Sequence, residues 1–418
     1  MANTSAWTRQ PGFFVYTTYT IAKAVVKLPS LMLLYTIAQF RPVREWTHKQ
    51  AFVVALTRFF FEYSTTVEFS PAQTLDPGQE KDRFVTIDPF VEPAQEGEGQ
   101  QQATIPIYTG IATPQPNGIR PTKIGAVWHP APPSTKDGVS SLATAGRVFL
   151  HFHGGAYVVF DCRDREMAVG ASLLLSAATA GNKNATAAVL CPQYRLASHH
   201  HLHAQNSNGG GGHFPAALQD AITSYAHLIH RLGVPGSKII ISGDSAGGNL
   251  ALALLRYLED EKATHGLPLP RGVMLWSPWT DLSVTAAELE KRKEDKSDLV
   301  PPVMVKWALR VFLPEALSTT TTSANQEVAK EGVAENPYIS PVKKAIVTDV
   351  PVWVQFGGRE VLREDIVRWV EVQKQGGGKV KAYEIPVAPH DVFMAAEGLG
   401  LKEEVGEAAG DGVRFLDE

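Results

Sequence analysis

From about residue 146 onward, short runs of β-branched and apolar residues alternate with longer stretches whose apolar side chains recur at helical spacing. The runs at 146–152, 185–191, 237–242, 271–276, 351–356 and 379–385 read as strands, with helix-like stretches between them. That alternation predicts an α/β fold, a mostly parallel central sheet flanked by helices on both faces. Residues 104–112 and 123–129 are expected to begin the sheet as antiparallel strands. Two breaker-rich stretches, Glu92 to Gln102 and Pro130 to Gly138, read as solvated connections. No internal repeat is evident.

The N-terminal part has a different pattern. From Phe13 to Phe40 the only charges are Lys23 and Lys27, and no acid precedes Glu45. The lysines interrupt the apolar run and no small-residue cleavage site follows, so it makes a poor signal peptide. Pro29 is expected to split it, leaving it too short for a transmembrane span. Basic residues among Phe, Tyr and Leu suit a segment that lies in or dips into a membrane. A second apolar stretch, Ala51 to Phe61, follows. Membrane association, for instance at the endoplasmic reticulum, is therefore the expectation, with a cytoplasmic location as the alternative. Asn3 and Asn184 stand in N-x-S/T sequons, which matter only in a lumen.

Composition limits the function classes. With 418 residues, 44% of them hydrophobic, the chain can bury a large core. One catalytic domain, 66–418, with an appended helical segment, 1–65, is the expected organisation. The net charge of −4 and pI near 6.4 provide no basic stripe, so nucleic acid is not an expected partner. Cys162 and Cys191, the only cysteines, are too few for a disulfide scaffold and lack metal-site spacing.

The candidate chemistry centres on Gly243-Asp244-Ser245-Ala246-Gly247. A strand-like run, Lys238 to Ser242, precedes it and an Ala/Leu-rich helix follows. This is the context of a nucleophile elbow, in which a serine sits on a sharp strand-to-helix turn. Upstream, His153-Gly154-Gly155-Ala156-Tyr157 follows the strand-like Val148 to Phe152. Such a loop supplies backbone N–H donors to a developing oxyanion. The candidate donors are the amides of Gly154, Gly155 and Ala246. An acid and then a base should follow downstream. His390 lies in a loop directly after the strand-like Val380 to Ile385 and is the candidate base. Glu360 stands closest to the end of the strand Val352 to Phe356 and is the candidate acid. Glu364 and Asp365 fall a turn later, where a helix start favours carboxylates.

These segments resemble the hormone-sensitive-lipase branch of the α/β-hydrolases, which includes microbial esterases, steryl acetyl hydrolases and arylacetamide deacetylase-like enzymes. The resemblance rests on His153 to Ala156, Tyr194 to Ala197, Phe214 to Ala217, Gly243 to Gly247, Ser277 to Asp281, Asn336 to Pro341 and His390. It covers about residues 123–395. Three departures stand out. Ala156 replaces a glycine, Glu360-Val361-Leu362-Arg363-Glu364 replaces a run beginning with Asp, and residues 198–213 interrupt a normally short stretch. That insertion is His- and Gly-rich, but its surroundings cannot fix a metal geometry, so it reads as a surface loop.

In the resembling family the region corresponding to 283–345 contributes to a cap. Here it holds a charged helix, Glu288 to Asp298, and an apolar helix, Val303 to Phe312. Trp307, Val311, Phe312 and Leu313 either line an apolar pocket or pack the helix on the core. The N-terminal helices have the same two openings, anchor or cap. The expected function is a serine carboxylic-ester hydrolase with a Ser245–Glu360–His390 triad and an acyl-enzyme. Its expected substrate is a hydrophobic small-molecule ester with a short, acetyl-type acyl group, and no cofactor or metal is required. An amide deacetylase of the same mechanism and a non-catalytic ligand-binding protein on this scaffold are the alternatives.

Overall fold

A computed structural model describes residues 6–70, 72–90, 106–114, 118–130, 146–181, 186–197, 211–313 and 332–418. The connections proposed at 92–102 and 131–138, and residues 198–210 of the insertion, lie outside them. One sheet holds β1 (Phe84–Ile87), β2 (Ile124–His129), β3 (Arg147–Phe152), β4 (Ala187–Gln193), β5 (Ile239–Asp244), β6 (Gly272–Trp276), β7 (Val352–Gly357) and β8 (Val380–Ile385). Their spatial order is β1-β2-β4-β3-β5-β6-β7-β8. β2 is antiparallel to both neighbours, and every pairing from β4 to β8 is parallel.

The expected opening strand at 104–112 is a correction. Its described part, 106–112, forms turns and a short 3-10 helix, Gly110–Ala112. Tyr257 takes the backbone groups a strand would have used. Its hydroxyl donates to the Ile107 carbonyl at 2.6 Å and accepts from the Thr109 N–H at 3.0 Å. The sheet instead opens with β1, where Phe84 and Ile87 are buried opposite Val127 and Ile124.

The main helices are α1 (Gly12–Leu34), α2 (His48–Thr66), α3 (Asp164–Thr179), α4 (Ala216–Ala226), α5 (Ser245–Asp260), α6 (Pro302–Phe312), α7 (Arg363–Gln375), α8 (Val392–Leu399) and α9 (Lys402–Asp417). Successive strand residues point to opposite faces. Val148, Leu150 and Phe152 therefore join a core with α4, α5 and α7, while Phe149, Ile240 and Met274 join α3, α8 and α9.

Three further details correct or sharpen the reading at the edges. Pro29 does not split the N-terminal run, since α1 continues through it to Leu34. Even so, no helix among the described residues is long and apolar enough to cross a membrane. The charged stretch 288–298 is not one helix but a single turn, Ala286–Leu289, followed by a 3-10 turn, Lys293–Ser297. Arg292 between them reaches out of helical geometry to Asp365 at 2.7 Å. In α6, Trp307, Val311 and Phe312 are buried, and Phe312 stacks on Tyr157 with centroids 4.0 Å apart, so these residues pack.

The N-terminal segment touches the core through α2 and Trp46 just before it. Trp46 donates its indole N–H to the Val387 carbonyl at 2.6 Å, and the Gln50 amide bonds the Leu399 carbonyl at 2.9 Å. Ala51 and Val54 join the same core cluster as α8.

Candidate active site

β5 ends at Asp244 and α5 begins at Ser245, with no residue between them. Ser245 takes φ +50°, a left-handed conformation that costs a non-glycine residue strain and persists only when its surroundings enforce it. The enforcement is steric. A Cβ on Gly247 would meet the Phe152 carbonyl oxygen at 1.9 Å, so the elbow can sit against the end of β3 only with glycine there. On the other side, a Cβ on Gly154 would stand 3.2 Å from the Ser245 Cβ and 2.3 Å from an Asp244 carboxylate oxygen. The His-Gly-Gly loop thus passes directly beside the serine. Gly155 turns it at φ +99°, and Ala246 is fully buried in the first turn of α5.

The loops after β7 and β8 bring the candidate acid and base to the same place. His390 Nε2 lies 2.8 Å from Ser245 Oγ. His390 Nδ1 faces Glu360 Oε1 at 3.6 Å, an ion-pair distance longer than a hydrogen bond, and neither atom has another partner. The other carboxylate oxygen, Oε2, accepts the Ser277 hydroxyl at 2.6 Å and the Gly357 N–H at 2.8 Å. Burial opposes charge on His390. The facing Glu360 carboxylate, with Asp298, outweighs it and raises the imidazole to about 9. Asp365 begins α7 and pairs with Arg292 at 2.7 Å and Arg368 at 3.1 Å, while Glu364 is exposed.

Several residues around this cluster gave no sequence signal of their own. His151, on β3, bridges Ser242 Oγ and Asp244 Oδ1, each at 3.0 Å, and burial pushes its imidazole down to about 3. Burial, then the Asp244 charge, drives the Asp391 carboxyl well above the usual range, and a protonated Asp391 can share its hydrogen with Asp244. Asp391 holds φ +54° directly after the base. Ser277 stands in a segment that carried the resemblance. Its Oγ, besides donating to Glu360, accepts the Asp391 N–H at 3.1 Å. His153 is stacked on Tyr194 at 4.3 Å, with its Nδ1 2.7 Å from the Gly154 carbonyl, a structural role for the loop.

The quoted segments converge on α5. The Asn249 amide donates to the carbonyls of Trp279 and Ile339, each at 2.8 Å, and its oxygen accepts the Tyr157 hydroxyl at 2.7 Å. Among the described residues, no group of three or more His, Cys, Asp or Glu is placed to hold a metal ion. Cys162 and Cys191 are free and buried.

A family profile described as alpha/beta hydrolase fold matches residues 149–394, more than half of the chain. The chain belongs to the α/β-hydrolase family. Its curated relatives include proteins named acetyl-hydrolase, esterase and carboxylesterase. It is 28% identical over 274 residues to an acetyl-hydrolase of Streptomyces hygroscopicus, covering 65% of this chain and 76% of that one. A putative steryl acetyl hydrolase of Schizosaccharomyces pombe is 26% identical over 281 residues, 67% of this α/β-hydrolase and 66% of that protein. Among solved structures, an esterase from the bacterial hormone-sensitive lipase family superposes with a TM-score of 0.51 at 22% identity, covering 87% of this chain and 98% of that one. At that identity the superposition establishes the fold alone.

Proposed function

We propose that this α/β-hydrolase cleaves esters of hydrophobic alcohols carrying short, acetyl-type acyl groups, through an acyl-enzyme on Ser245. The observation that carries the reading is the 2.8 Å contact between Ser245 Oγ and His390 Nε2 beside the Gly154–Gly155 loop. His390 takes the hydroxyl proton as Ser245 attacks the ester carbonyl, then delivers it to the leaving alcohol. Water, deprotonated by the same imidazole, releases the acid. Glu360 stabilises the imidazolium, and the amides of Gly154, Gly155 and Ala246 receive the oxyanion. Preference for short acyl groups is supported by relatives named acetyl-hydrolase and steryl acetyl hydrolase. A relative named arylacetamide deacetylase-like 2, 30% identical over 158 residues, supports amide deacetylation as the second reading. An intact Ser245–His390 pair opposes a purely ligand-binding role.

We read 66–418 as the catalytic domain and 1–65 as a membrane-seeking appendage whose second helix also serves as cap. α1 exposes Phe14, Val15, Tyr19, Ile21, Val25, Val26, Met32 and Leu33, an apolar face of the kind that marks membrane or partner contact. A panel of p-nitrophenyl esters of rising chain length, run beside an aryl acetamide, tests the substrate reading. Fastest turnover of the acetate is expected. Turnover that peaks with long acyl chains, or only on the amide, overturns it.

A further inference from the structure

The acid and the base stand on separate loops, Glu360 after β7 and His390 after β8. A carboxylate outside both loops reaches into each. Asp298 follows the 3-10 turn Lys293–Ser297, in the insertion between β6 and β7, and is fully buried. Its Oδ1 accepts the backbone N–H of His390 at 2.9 Å and that of Leu299 at 2.6 Å. Its Oδ2 accepts the N–H of Val361, the residue after Glu360, at 2.6 Å. One side chain therefore grips the base at its own peptide and the acid one peptide later. Three N–H donors converging on two oxygens require an anion. An amide in that place has one accepting oxygen and would turn N–H toward N–H at the other.

The turn that carries Asp298 is braced from the N-terminal segment. On α2, Arg58 pairs with the Asp295 carboxylate at 2.7 Å, donates to the Asp295 carbonyl, and reaches the Asp298 carbonyl at 3.4 Å. The ionisable groups facing the Asp298 carboxylate are His390 and Glu360, with Asp391 next to the imidazole. Burial pushes Asp298 up to about 6, held from rising further by the His390 charge and the N–H donors.

We propose that Asp298 is a positioning residue for ester hydrolysis. Its carboxylate clamps the Glu360 and His390 loops in register, so that the imidazole faces the acid with one nitrogen and Ser245 with the other, and α2 braces the clamp through Arg58. The proposal rests on the hydrolase reading. It assigns a role to the insertion between β6 and β7, and it explains why a carboxylate whose hydrogen bonds all come from backbone N–H groups is buried there.

The test is p-nitrophenyl acetate kinetics on the full chain across neutral and alkaline pH, with active serine counted by a fluorophosphonate. Asp298→Asn should lower kcat per labelled serine by about 10- to 100-fold, the cost of misplacing catalytic groups by a fraction of an ångström, with KM little changed. Loss of a nearby negative charge should also move the rising limb of kcat/KM to lower pH. Arg58→Gln should lower kcat by a few-fold and leave the limb in place. An Asp298→Asn enzyme with wild-type kcat per labelled serine and an unmoved limb overturns the clamp. If Asp298→Asn does not fold, Asp298→Glu decides. It keeps the charge on a longer arm, so kcat should fall while the limb stays, and a wild-type kcat refutes the proposal. Wild-type protein that neither turns over the ester nor takes up the phosphonate would instead remove the hydrolase reading itself.

Discussion

Helices α1 and α5 are both rich in apolar residues, and the protein treats them in opposite ways. Of the 16 residues of α5, 15 are buried; α1, at 23 residues, buries only Thr20. Composition does not explain the contrast. α5 lies between the sheet, α4 and the segments anchored to Asn249, so every side of it has a neighbour. α1 packs chiefly on α2 and the turn before it, through contacts such as Tyr16 stacked on Tyr63 with centroids 6.1 Å apart, with Leu31 partly buried against the core. Rigid burial around α5 can hold a serine in a strained backbone conformation. An uncovered apolar helix can hold nothing in place, but it can enter a lipid surface. The lesson is that α2, not α1, joins the two regions. Trp46, just before it, reaches the loop of the candidate base, and Arg58 on it reaches the Asp295–Asp298 turn.

The largest effect should come from the buried region. Ser245→Ala should reduce ester turnover by about 10⁴-fold or more, leaving the residual rate that binding and oxyanion donors supply. Thermal unfolding should be little changed, because a small side chain is replaced by a smaller one. A variant that keeps its activity, or still labels with a fluorophosphonate, would show that the elbow does not carry the nucleophile.

Next comes the choice of acid. Glu360→Gln should lower kcat by about 10²- to 10⁴-fold. Asp365→Asn should instead cost mainly stability, since it leaves the half-buried Arg292 with only the exposed Glu364 at 3.8 Å. The reverse order of kcat losses would move the acid to Asp365. The same pair sharpens the pH dependence. Only neutral imidazole can take the serine proton, and Glu360 holds His390 charged up to about 9. Activity of the free enzyme should therefore climb from neutral pH toward about 9. In Glu360→Gln the climb should begin at lower pH. A wild-type profile already flat at neutral pH would contradict the ion pair.

The smallest effect on chemistry, and the one that divides the N-terminal region, is truncation. Removing residues 1–36 should release the protein from membranes and leave kcat within about twofold, because α1 packs chiefly on α2 and the turn before it. Removing residues 1–49 also deletes Trp46, which holds the Val387 carbonyl ahead of His390, and kcat should fall further. Equal activity of both shortened chains would reduce the N-terminal segment to an anchor. Full-length protein that never sediments with membranes would reduce it to a cap.

The local sequence determined the strands from β2 to β8, the elbow and the loop beside it. Each is written in contiguous residues: an apolar β-branched run, a Gly-x-Ser-x-Gly turn, a strand followed by His-Gly-Gly. The position of Glu360, the candidate acid, was legible too: it follows the strand end and faces His390, while Asp365, farther along, pairs with Arg292. β1 was missed because four residues carry too little pattern. The strand expected at 104–112 failed because a tyrosine 150 positions away along the chain claimed the Ile107 carbonyl. Ser277, Asp298 and Asp391 were unreadable as parts of the site for the same physical reason. A hydrogen bond or a buried charge acts over a few ångströms of space, and the spacing between Asp298 and His390, 92 residues along the chain, is fixed only when the sheet brings β6, β7 and β8 side by side. Tertiary structure alone decided which carboxylates face the imidazole, and that α2 packs against the core beneath α8.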